Sequence, residues 1–154
     1  MLRTIQNKRD EGFTIIEVLI VLAIAGLIML IVFLAVPALQ RNSRNTQRTN
    51  DASLIGGSVG ECLANKNGQK ASCDSLADLQ AVGLDTTKLT QLSTITVSAG
   101  DPTMPANTNS AAVGYTAKCN TAGDAVDTNG SDRQVVVLFR IETQGGDTGR
   151  CIEV

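Results

Sequence analysis

The chain of 154 residues has room for one domain and an appendage, and its 43% of hydrophobic residues are very unevenly spread. A net charge of −2 hides a split: Arg3, Lys8 and Arg9 stand against Asp10 and Glu11, Arg41, Arg44 and Arg48 follow an apolar run, and residues 67–154 are acidic overall. Without histidine there is no Ser-His or Cys-His dyad, so the chain reads as non-enzymatic. With only Phe13, Phe33, Tyr115 and Phe139 as aromatics there is no basic aromatic surface for single strands, and DNA stands as a partner that no residue supports.

Residues 1–12 are short, mixed in charge and without periodicity, and read as a leader rather than as structure. Residues 13–36 then carry one charge, Glu17, and one other polar side chain, Thr14. As a helix the run would be about 36 Å long, enough to span a ~30 Å hydrocarbon core with some tilt. Gly26 is its one turn signal, and Pro37 interrupts it by removing a backbone donor. A plain anchor is the simplest reading. A secretory signal peptide cut near Val36-Pro37-Ala38 is a second, weakened by the length of the run. Neither uses Glu17. An Asp or Lys at mid-bilayer costs roughly 2.5–3.5 kcal/mol on insertion scales, and a glutamate in a spanning helix is a functional candidate that needs a partner.

Residues 38–65 keep a helical pattern. Ala52, Ile55, Val59 and Cys62/Leu63 recur on one face, with Arg41, Arg44, Arg48, Asp51 and Glu61 expected on the opposite side. Gly56, Gly57 and Gly60 each weaken the helix by up to ~1 kcal/mol relative to Ala, and a sheet packed closely on that face is the expected compensation. Asn67-Gly68 is the stop signal. A short helix is expected at 75–82, with Asp74 as N-cap and Gly83 as stop. Strands are expected at 94–98, 111–118, 134–142 and 150–154, separated by loops at 99–110, 120–132 and 143–149. The Val135-Val136-Val137-Leu138-Phe139 stretch should be buried on both faces. The fold class is therefore α+β: a long N-terminal helix, its first half transmembrane, packed on a small antiparallel sheet.

Cys62, Cys73, Cys119 and Cys151 all lie beyond the apolar run, with no CxxC pair and no histidine. That argues against a zinc site and for two disulfides in an oxidising, extracytoplasmic place, and no cofactor or metal is expected. The alternative is four buried thiols in a reducing compartment. Three pairings are open. Cys62–Cys73 with Cys119–Cys151 is preferred, since the first closes a short loop after a helix and the second ties down the last strand. Residues 127–132 offer oxygen ligands without EF-hand spacing and read as a solvated turn. Asn129-Gly130-Ser131 also fits the N-glycosylation sequon.

The stretch Lys8-Arg9-Asp10-Glu11-Gly12-Phe13-Thr14-Ile15-Ile16-Glu17-Val18-Leu19 resembles the prepilin cleavage site of the type IV pilin superfamily. The resemblance is specific from Lys8 to Pro37 and only architectural beyond. It implies a membrane peptidase that cuts between Gly12 and Phe13 and a methyltransferase activity that N-methylates Phe13. It implies that Glu17, at the fifth mature position, pairs with the terminal amine of a neighbouring subunit, since a buried cation needs a partner. Family subunits can lose helicity between a glycine and a proline, here Gly26 and Pro37, although Pro37 falls later than is common and a simple kink is the alternative.

The implied organisation is a leader (1–12), a transmembrane and polymerisation helix (13–37), its amphipathic continuation (38–65) and a stapled extracytoplasmic sheet domain (66–154). Lysine and arginine counts do not decide the orientation; the cysteines place the head outside and the leader in the cytoplasm. Implied partners are further copies of the chain, the peptidase/methyltransferase, an assembly platform with its motor, and the cytoplasmic membrane before assembly. The expected function is a major or minor subunit of an extracellular type IV pilus. The alternatives are a pseudopilin of a type II secretion or competence system, a group in which calcium binding occurs, or a membrane-anchored exported binding module.

Overall fold

The computed structural model describes residues 12–98, 100–127, 129–131 and 133–154, so all of the expected leader but Gly12 lies outside the described residues. Helix α1 (Ile15–Asn65) begins the fold. The chain forms two compact units, one ending at Leu39 and one comprising Gln40–Val154.

Among its described residues the first unit has no buried core. Every residue from 12 to 37 is exposed, including Phe13, Leu22 and Phe33. By length and composition this segment can cross a membrane. Gly26 and Pro37 both lie within α1, which continues through them.

In the second unit residues 40–65 of α1 lie against a four-stranded sheet in the order β1-β2-β5-β6. Its strands are β1 (Thr94–Ser98), β2 (Ser110–Tyr115), β5 (Val135–Thr143) and β6 (Gly146–Glu153). Ala52, Ile55, Val59 and Cys62 meet Val113, Tyr115, Val135, Val137 and Phe139, while Leu79, Leu84 and Leu92 close the side. Val136 and Leu138 point the other way, into a smaller cluster with Ala112, Ala117 and Cys151, against which Met104, Cys119 and Val126 pack. The central strand β5 is thus covered on both faces.

The sheet is mixed rather than antiparallel. β1 pairs with β2 in parallel, Thr94 opposite Ser110 and Ser98 opposite Gly114, and the other two pairings are antiparallel. The intervening segment is long enough to cross over the face away from α1, where Met104 is packed, and to bring β2 back in the same direction. Side chains rather than a helix pin that crossover: Arg48 Nε donates to the Thr108 carbonyl (3.0 Å) and Arg140 Nε to that of Pro105 (2.6 Å).

Other expectations also change. Residues 143–149 are not a loop but a tight hairpin, with Thr143 paired to Gly146, whose φ of 123° suits glycine. The expected loop at 120–132 contains half of a small ribbon, β3 (Lys118–Cys119) against β4 (Val126–Asp127). Asn120 organises its turn by accepting from the Asp124 and Ala125 amides. The short helix is α2 (Leu76–Ala81), and its N-cap is Ser75, not Asp74: the Ser75 hydroxyl accepts from the Asp78 amide (3.2 Å). Single 3₁₀ turns at Lys70–Ser72 and Thr86–Lys88 flank it. α1 ends before Asn67 and Gly68, both at positive φ, where the Gly68 amide donates back to Leu63 (2.7 Å).

Arg48 and Asp51 were expected on the solvent side of α1 and are buried, 2% and 3% exposed. Positions 48, 51/52, 55, 59 and 62 form one stripe at helical spacing, so the two charges extend the buried face. Each is satisfied there. Asp51 Oδ2 accepts from the amides of Thr90 (2.9 Å), Gln91 (2.7 Å) and Leu92 (3.0 Å). Of the three glycines, Gly56 alone has a close neighbour that a Cβ would strike, 2.6 Å from Val154 Cγ2. The compensation at Gly56 is therefore a single valine seated in a notch, and Gly57 faces open space.

Candidate functional site at the start of the helix

The polar chemistry of the first unit is concentrated at the beginning of α1. Gly12 and Phe13 precede the helix and are exposed, Phe13 by 88%, with open space where a side chain on Gly12 would lie. Thr14 is the residue before the first helical position, and its carbonyl accepts from the Val18 amide. Its hydroxyl accepts from the Glu17 amide (3.3 Å) and donates to Glu17 Oε2 (2.8 Å). The Thr14 amide donates to the same carboxylate oxygen (2.9 Å). This is a reciprocal capping box, in which two helix-end amides find side-chain partners. It leaves Glu17 Oε1 without a hydrogen bond among the described residues. Glu17 also borders a shallow apolar groove with Phe13, Val18, Val21 and Leu22.

Sequence reasoning singled out Glu17 and overlooked Thr14. The signal was present, because Thr-x-x-Glu before an apolar run is the capping-box pattern. The capping box gives Glu17 a partner within its own chain.

In the second unit Cys62 is joined to Cys73 and Cys119 to Cys151, with Cα separations of 6.0 and 5.5 Å. The first bond links the end of α1 to the 3₁₀ turn, beneath Tyr115, whose hydroxyl donates to the Cys73 carbonyl. Burial, followed by the nearby charges of Asp74 and Asp78, pushes the Tyr115 phenol up to about 12. The second bond fastens the β3–β4 ribbon to β6.

Two of the three arginines after the apolar run, Arg44 and Arg48, serve this unit. Arg44 pairs with Glu142 through both Nε and Nη2, and Arg48 Nη2 donates to Glu142 Oε1 (2.7 Å). Hydrogen bonds from Arg44, then from Arg48, hold the Glu142 carboxyl at about 2, well below the usual 4.5. Asn45 binds the backbone of the same residue, donating to its carbonyl (2.8 Å) and accepting from its amide (2.9 Å).

In the 127–132 stretch Asp127 Oδ1 accepts from Asn129 and its Oδ2 faces Lys118 Nζ at 3.3 Å, while Asp132 lies outside the described residues. Among the described residues no group of three or more His, Cys, Asp or Glu could hold a metal ion. Ser58 donates to the Leu54 carbonyl in its own helix, and Glu61 is exposed.

Residues 7–33 match the family described as the prokaryotic N-terminal methylation motif. No curated protein and no solved structure matches the chain. The matched residues include Gly12, Phe13, Thr14 and Glu17 and most of the exposed apolar helix, and they join a small mixed-sheet head. The chain carries the prokaryotic N-terminal methylation motif at the start of a long apolar helix that leads into a small mixed sheet, an α+β architecture like that of pilins.

Proposed function

We propose that the chain is a structural subunit, major or minor, of a type IV pilus. It is cut between Gly12 and Phe13, methylated on the new amine of Phe13, and polymerised through residues 13–37. The observation that carries this reading is Glu17: a carboxylate near the start of an apolar helix that nothing else in its unit covers. In the membrane the capping box shields one oxygen, and in the filament Oε1 receives the amine of a neighbouring copy. Gly26 and Pro37 mark the segment whose helix loosens on packing. The leader faces the cytoplasm and the head lies outside, held in the cytoplasmic membrane until a platform and motor extract it. Two disulfides favour an exposed filament over a pseudopilin, because the surface of a filament must resist unfolding and proteolysis.

Mass analysis of the protein from its native membrane, with electron microscopy of sheared surface filaments, tests this. A chain beginning at methylated Phe13 and present in the filaments is expected. Processed protein confined to the envelope assigns it to a secretion or competence system instead. A chain that retains its leader, with no filaments, leaves the anchored binding module.

A further inference from the structure

We propose that Asn129 is the acceptor of an N-linked glycan, transferred to its side-chain nitrogen from an oligosaccharide carried on a polyprenyl pyrophosphate. The triplet Asn129-Gly130-Ser131 has the required pattern. Such a triplet is common by chance; this one is set apart by how the fold displays it.

Asn129 and Ser131, the two residues that carry the chemistry, are both exposed. Gly130 between them is drawn inward: a Cβ there would lie 2.6 Å from backbone atoms of Ala117. The triplet is therefore held at its centre and turned outward at both ends. The Ser131 hydroxyl makes no hydrogen bond among the described residues. Its amide donates to Gln134 Oε1 (2.6 Å), which holds the backbone and leaves the side chain available for recognition.

Asp127 supplies the second feature. Its Oδ1 accepts from both the backbone amide (3.1 Å) and the side-chain Nδ2 (2.9 Å) of Asn129. Lys118 holds the other carboxylate oxygen. A carboxamide nitrogen is a weak nucleophile because its lone pair is delocalised into the carbonyl. An N–H directed at a carboxylate returns electron density to nitrogen and fixes the orientation of the amide. The second Nδ2 hydrogen has no partner among the described residues.

In the transfer, a bond forms between Nδ2 and the anomeric carbon of the donor. The bond from that carbon to the pyrophosphate oxygen breaks, and polyprenyl pyrophosphate leaves. The proton of Nδ2 passes to a carboxylate base of the membrane transferase that binds both reactants. No oxidant or reductant is needed. The inference requires only that the head be exported and holds for a pilin, a pseudopilin or an anchored module.

The test is peptide mapping by mass spectrometry of the mature protein from its native host, alongside Ser131→Ala, Ser131→Thr and Asn129→Gln variants. The peptide containing Asn129 should carry sugar residues on Nδ2. Ser131→Thr should retain them, and Ser131→Ala and Asn129→Gln should lose them while both disulfides still form. A wild-type peptide at its unmodified mass, sugar on the Ser131 oxygen, or a glycan that survives Ser131→Ala would each overturn the proposal. A start at Phe13 in the same preparation separates that result from a failure of the assembly reading.

Discussion

Single residues do most of the joining in the head. Asp51 is nine-tenths buried and is the acceptor for three successive backbone amides, so removing it strands all three donors. Asp51→Ala should destabilise the head by about 3 kcal/mol or more, well beyond the loss of an ordinary hydrogen bond. Chemical denaturation in detergent would show it, followed by the fluorescence of Tyr115, the sole tyrosine in a chain without tryptophan. Asp51→Asn should recover much of the loss by retaining one acceptor. Glu142 makes a pH-dependent contribution. Its folded carboxyl titrates near 2 and an unpaired one near 4.5, so the unfolded chain binds the proton more tightly. The stabilisation is therefore full above about pH 4.5 and is lost as pH falls towards 2. Unfolding midpoints of the wild type should drop over that window, and those of Glu142→Gln should drop less.

At the scale of elements, what could be read from the chain divides by the range of the interactions. The long helix, its stop at Asn67-Gly68 and β1 follow from local periodicity and turn chemistry, and the structure has them. The parallel pairing of β1 with β2 depends on where a crossover folds back, and nothing local distinguishes that from a hairpin. The two-residue strands β3 and β4 are too short for an alternating pattern and exist because Asn120 and a disulfide hold them. For Arg48 and Asp51 charge points to exposure, whereas their spacing puts them in the apolar stripe, and the stripe prevails. Breaking Cys119–Cys151 by a double serine substitution should cost about 2–5 kcal/mol. It should also raise hydrogen exchange in residues 118–127 more than in β5; equal exchange in both would show that the ribbon is not held by that bond. At the other end of the chain Thr14→Val removes two of the three capping-box hydrogen bonds, a loss of about 1 kcal/mol in helix initiation. Processing should persist and filament yield should fall, with Thr14→Ser restoring it.

For the whole molecule, the two units divide the labour of the proposed polymer. The first is an apolar helix exposed throughout residues 12–37, and the second is a stapled head with a core of its own. Glu17→Ala should leave cleavage after Gly12 intact, because the cut site itself is unchanged, and should reduce incorporation by an order of magnitude or more. Gly12→Val should instead accumulate uncut chain. Both are read from immunoblots of envelope and sheared fractions, and normal filaments from Glu17→Ala would remove its assigned role. The methylation motif was legible because it lies in one short contiguous stretch. The polar network of the head was not, because Glu142 is far along the chain from Arg44, Asn45 and Arg48.

That network has a mechanical consequence. Asn45 and Arg48 reach the Glu142 end of β5 and the crossover, while Asp51 reaches the segment leading into β1. A pull on residues 40–65 would be carried into the sheet and the segments beside it through these bonds as well as through the apolar contacts. Apolar contacts slide under such a load with little resistance. If the chain works in the proposed filament, the buried charges of residues 48 and 51 are what would keep the sheet from slipping along residues 40–65.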